Sequence, residues 1–134
     1  MSKAFLKIYF WNLVFIFSIS SCSTNTYKQG EMLYQAHCSD CHMDDGQGLK
    51  LLIPPLAGVD YLAEDRAQIA CIIKNGLNDT LQINNKTYFQ EMLAIPKLSE
   101  AEITNIINYI NQAWGNDMGY VQINEVKSAL EACE

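Results

Sequence analysis

The sequence predicts an all-α fold, three core helices followed by a short C-terminal helical extension. Three observations carry that prediction. Ile103, Ile106, Ile107, Ile110 and Trp114 recur at helical spacing behind a Ser99/Glu102 capping box, the clearest helix signal in the chain. Ile69, Ile72 and Ile73 give the stretch from Tyr61 to Asn75 an inner side, and Gly76 is placed to end it in the left-handed conformation. Cys38-Ser39-Asp40-Cys41-His42 sets two cysteines three positions apart, on one face of one helical turn. With 134 residues the chain is enough for one domain and not two.

Two cysteines separated by two residues and followed at once by histidine form the attachment site of a c-type haem. Cys38 and Cys41 can bond the two vinyl groups along one haem edge, and His42 then reaches the iron as proximal ligand. A zinc half-site would want a second Cys/His pair at short spacing, which this sequence lacks. A thioredoxin-like redox pair would want a βαβ context, which the flanks do not suggest. The expected cofactor is one covalent haem c.

Residues 1–21 read as an export signal. Lys3 and Lys7 make its basic start, and Ile8 to Phe17 is apolar except for Asn12, a run too short for a transmembrane span. Ile19-Ser20-Ser21-Cys22 resembles a bacterial lipobox: an aliphatic residue, two small ones, then cysteine. That resemblance implies a mature chain acylated at Cys22, residues 22–26 as a polar tether and residues 27–134 as the domain. It would lie in the periplasm or cell envelope, lipid-anchored to a membrane. Ordinary cleavage with Cys22 incidental is the alternative. Removing residues 1–21 removes two lysines and no acid, which takes the formal charge from −6 to −8. Such a chain repels nucleic acid and is steered towards basic partners, although acid spread this evenly also suits a merely solvated surface.

Once Cys22 is assigned to lipid and Cys38 and Cys41 to haem, Cys71 and Cys133 remain. An even remainder in an oxidising compartment suggests a disulfide. Two separate buried thiols, or a Cys133 that stays free or pairs with another molecule, are the alternatives.

Taken in order, a helix runs from about Tyr27 to the cysteine motif, with Met32, Leu33 and Ala36 at apolar spacing. Gly30 is costly there and hints at close approach by another element. His37 precedes the cysteines instead of following them, which suits a surface or packing role. Met43 to Gly58 is a loop punctuated by glycine and proline, able to cover one edge of a haem. After the helix from Tyr61 to Asn75, Ile83-Asn84-Asn85-Lys86-Thr87-Tyr88 forms a hairpin or turn, because Asn tolerates positive φ. The helix capped by Ser99, with Leu98 and Ile103 as its hydrophobic staple, runs through Trp114 to a stop at Gly115. A tail, Tyr120 to Ile123, leads to a last helix from Glu125 to Ala132.

From Tyr27 to Trp114 the chain resembles the small single-haem class I cytochromes c. The resemblance rests on Cys38, Cys41 and His42, on the Pro-x-Leu-x-Gly pattern at Pro54, Leu56 and Gly58, and on Gly30, Tyr34 and Tyr109. It implies the cytochrome c fold, with the first and last core helices crossing closely at Gly30. It implies that the Pro54 carbonyl orients His42 through its second nitrogen. It makes Met92 the distal ligand, core filling being the alternative, and leaves Met32, Met43 and Met118 as poorer candidates by position. The family usually has proline after this methionine; here Leu93 follows and the proline comes at Pro96, which implies a weaker or more dynamic iron–sulfur bond. The implied function is a membrane-tethered electron carrier, not an enzyme, between a respiratory or dehydrogenase donor and a terminal oxidase or reductase. Two alternatives stand beside it. One is a haem enzyme or gas sensor with five-coordinate iron, against which counts the lack of a spare residue placed to activate peroxide. The other is the haem module of a larger dehydrogenase complex.

Overall fold

The computed structural model describes residues 27–59, 61–64 and 66–133. The export signal over 1–21, the lipidation candidate Cys22 and the tether to residue 26 lie outside the described residues. The helices are α1 (Lys28–His37), α2 (Ser39–His42), α3 (Tyr61–Glu64), α4 (Arg66–Asn75), α5 (Glu100–Ile110) and α6 (Ile123–Glu131). One small antiparallel hairpin, β1 (Leu81–Ile83) and β2 (Lys86–Tyr88), is added to the expected helices. Asn84 and Asn85 turn it at φ 51° and 60°, the left-handed pair that matches strand twist.

The core is built where α1 crosses α5. Gly30 is the reason they approach so closely: a Cβ there would run into the backbone carbonyl of Asn105 and come within 2.7 Å of the Tyr109 Cβ. Tyr34, one turn on, is fully buried and lies against the Tyr109 ring with centroids 5.4 Å apart. Along α5, Ile103, Ile106, Ile107 and Ile110 are all buried, as their spacing predicts. Its start is the expected capping box. Ser99 Oγ accepts from the Glu102 N–H, and the Glu102 carboxylate accepts from the Ser99 N–H at 2.8 Å. Those bonds hold the Glu102 carboxyl below its ordinary range.

The helix does not run on to Trp114 as the stripe predicts. It ends at Ile110, and Trp114 sits in a 3-10 turn (Ala113–Gly115) at φ 54°. There its ring meets Tyr34 and Tyr109 at 5.1 and 5.6 Å, and its Nε1 donates to the Asp44 carbonyl at 2.9 Å. The ring contacts and the indole hydrogen bond replace what one more helical turn would have given.

Beyond the turn, the tail folds back on α5 through buried asparagines. Asn108 exchanges two hydrogen bonds with Val121, at 2.9 and 2.8 Å, and Asn111 donates to the Gly119 carbonyl. The last helix starts two residues earlier than expected, because Gln122 and Glu125 form a second capping box. Val126 and Ala129 are buried where α6 packs on α4 and α5. Cys71 on α4 and Cys133 just after α6 have Cα atoms 5.6 Å apart and their sulfurs in bonding contact.

Candidate functional site

One turn delivers the cysteine motif. Cys38 ends α1 and caps α2, so it stands one turn before Cys41 and His42, which lie within that short helix. Cys38 is buried and Cys41 exposed. Burial, and then the neighbouring Cys41, push the Cys38 thiol up to about 11. His42 is buried, with Nδ1 3.1 Å from the Pro54 carbonyl oxygen. A carbonyl can only accept, so Nδ1 carries the proton and Nε2 keeps the lone pair that binds metal. Burial lowers the proton affinity of this imidazole more than the carbonyl raises it, and the neutral ring is the form that ligates.

Two loops hold that pair. The Gly48 N–H donates to the His42 carbonyl at 3.0 Å, and the Gly46 carbonyl accepts from Leu56 at 2.7 Å and Ala57 at 3.0 Å. Gly46 cannot carry a side chain, since a Cβ would meet the Trp114 ring at 2.5 Å. Directly after His42 comes an exception to backbone preference: Met43 at φ 64°, ψ 162°, a region almost reserved for glycine. Its carbonyl accepts from the Tyr34 hydroxyl at 2.7 Å. Nothing in the residue pattern flags that strain.

Cys38, Cys41, His42 and Met92 all line one cavity of about 520 Å³, walled by α4 and α5 through residues such as Ile69, Ile73 and Ile106. Of Met32, Met43, Met92 and Met118, only Met92 lines it. The exposed His37 is at its edge. An apolar cavity carrying two thiols at attachment spacing, a neutral imidazole and a thioether fits a covalently bound haem. Cys71 and Cys133 take no part in it.

The loop bearing Met92 is tied down without a proline at position 93. The Met92 N–H donates to Leu77 at 2.8 Å and its carbonyl accepts from Leu77 at 2.9 Å. The Ile95 N–H donates to the Ile73 carbonyl, and Lys74 Nζ donates to the carbonyls of Pro96 and Leu98 at 2.7 and 2.8 Å. Gly76, at φ 79°, lets the chain pass close under this loop. Backbone pairing thus ties this loop down at the place where the family's proline would have stiffened it. Leu77 was not among the residues singled out from the sequence, because backbone pairing leaves no side-chain signature.

The Cytochrome c family profile matches residues 27–114. Over 91 residues the chain is 32% identical to a cytochrome c-552 of Thermus thermophilus, a match covering 65% of this chain and 69% of that protein. A second cytochrome c-552 of the same species is matched at the same identity over 61% of its length. The cytochrome c subunit of the quinone alcohol dehydrogenase of Gluconobacter oxydans is 29% identical over 104 residues, 73% of this chain and 21% of that subunit. The profile match takes in Cys38, Cys41, His42, Pro54 and Met92 and stops before the tail. With the cavity and its donor set already in place, the chain belongs to the cytochrome c family: an extracytoplasmic protein that holds one covalent haem c and serves in electron transfer, not as an enzyme.

Proposed function

We propose that Cys38 and Cys41 form the thioether bonds, that His42 and Met92 are the axial ligands, and that the chain is a lipid-tethered carrier. It would pass single electrons from a respiratory or dehydrogenase donor to a terminal oxidase or reductase. The convergence of these four side chains on one apolar cavity carries the reading. When bound, the haem supplies a one-electron centre whose potential a methionine ligand raises. The Pro54 carbonyl fixes the histidine tautomer, the isoleucine walls keep water away, and the Leu77 pairing holds Met92 in place. With both axial positions supplied by side chains, no site is left for substrate, which favours a carrier over a five-coordinate enzyme or sensor.

Charge supports a basic docking partner. Exposed Asp40, Asp79 and Glu91 line the cavity, and among the described residues no lysine or arginine does. Haem staining after denaturing electrophoresis tests attachment: the stain should survive acid–acetone extraction, and haem that washes out overturns the reading. No helix among the described residues is long and apolar enough to cross a membrane. The proposed tether is Cys22, on its likeness to a lipobox in Ile19-Ser20-Ser21-Cys22. The variant Cys22→Ser should release a soluble form. Mass spectrometry showing an unacylated mature N-terminus elsewhere would sink that part.

A second reading, the haem module of a dehydrogenase, is favoured by the likeness to the Gluconobacter oxydans subunit. Stoichiometric co-purification with a dehydrogenase would select it over a freely exchanging carrier.

A further inference from the structure

Asn116 lies outside the stretch matched by the family, yet its side chain grips the loop that carries Pro54. We propose that Asn116 is a positioning residue for the proximal histidine, keeping the Pro54 carbonyl on His42 Nδ1. The inference rests on His42 being an iron ligand, as argued above.

The carboxamide of Asn116 is buried, 8% exposed, and both of its ends are used. Its Oδ1 accepts from the Gly58 N–H at 2.8 Å. Its Nδ2 donates to the Leu56 carbonyl at 2.9 Å and to the Ile110 carbonyl, at the end of α5, at 2.8 Å. One side chain therefore ties two residues of the 54–58 loop to the last core helix. Pro54 and Pro55 have no N–H, so this segment cannot anchor itself through its own donors. Its anchors come just afterwards, at Leu56, Ala57 and Gly58, and Asn116 holds the first and last of these. Without that grip, the Pro54 carbonyl loses the fixed distance that keeps Nδ1 protonated and Nε2 aimed at the metal. No other side chain of this size serves. Aspartate can accept from Gly58 but would set a carboxylate against two carbonyls, and alanine removes all three bonds, the one to the Ile110 carbonyl buried and those to Leu56 and Gly58 partly so.

The test uses the full haem-loaded chain in its ferrous state. Solvent exchange of the His42 Nδ1–H is followed by NMR, and the reduction potential is measured alongside. Asn116→Ala should speed that exchange about tenfold, the loss of roughly one hydrogen bond's stabilisation, and shift the potential. If the alanine variant does not accumulate, the nearly isosteric Asn116→Asp should give the same direction. Asn108→Ala is the control. It removes two buried hydrogen bonds from the same tail without touching the loop, and should lower stability while leaving the His42 signal and the potential unmoved. The proposal is overturned if neither Asn116 variant alters the exchange, or if Asn108→Ala alters it equally. A wild-type protein lacking a protected His42 Nδ1–H would instead overturn the ligand reading, and this inference with it.

Discussion

Met92 and Met43 show opposite relations between a residue and its backbone. At Met92 the main chain is well satisfied by Leu77, so the side chain is presented on a firm loop. Met92→Ala should abolish the long-wavelength charge-transfer band of methionine-ligated ferric iron and let carbon monoxide or imidazole bind. An unchanged spectrum would hand the role to another residue. At Met43 the backbone is held in territory that costs a non-glycine residue about 1–3 kcal/mol. The Tyr34 hydroxyl on its carbonyl helps to keep it there. Glycine removes that strain but adds about 0.5–1 kcal/mol of unfolded-state entropy. Met43→Gly is therefore expected to stabilise the protein by about 1 kcal/mol, read from denaturant unfolding. A loss of stability would show that the methionine side chain contributes more than the strain costs.

At the scale of elements, the crossing of α1 and α5 sets the spacing of the core. Two effects of a Gly30→Ala change compete. Alanine is the better helix former by about 1 kcal/mol. Against that, its Cβ would meet the Asn105 carbonyl and the Tyr109 Cβ, backbone and near-backbone atoms that cannot swing aside. The helices would have to separate, disturbing Tyr34 and the rings of Tyr109 and Trp114 around it. Steric cost should win, with a net loss of about 2 kcal/mol. Thermal unfolding checks this, and a variant as stable as the parent would mean the crossing is looser than its geometry indicates.

Over the whole molecule, the tail is the part of the described residues that the family match leaves out, and its helix α6 packs on both α4 and α5. Oxidation of Cys71 and Cys133 would close a loop with a sequence separation of 62, worth about 4 kcal/mol in the chain-entropy account. Alkylation of the unreduced protein should therefore leave both thiols unmodified by intact mass, and two modified thiols would mean no bond. Cys71→Ser with Cys133→Ser should lower the unfolding free energy by up to that amount. The haem spectrum should stay intact, because neither cysteine lines the cavity and Val126, Ala129 and the Asn108 pairing still hold the tail.

What the sequence determined by itself was local. Helix periods, the capping box at Ser99, the turn at Asn84-Asn85 and the cysteine motif are written in the spacing of neighbouring side chains, and each could be read without partners. The cost of Gly30 was legible too, although the identity of what approaches it came only through resemblance. Trp114, Leu77 and Asn116 were decided by tertiary structure. Trp114 leaves its helix to meet Tyr34 and Asp44, which come from distant parts of the chain, and to turn its ring back on Tyr109. Leu77 holds Met92 through N–H and C=O groups that almost every residue has, so their pairing makes no mark on the residue pattern. Asn116 reads as one polar residue in a turn until folding brings Leu56, Gly58 and Ile110 around it. Long-range hydrogen bonds need only a donor, an acceptor and a place to meet, and that place exists only in the folded chain.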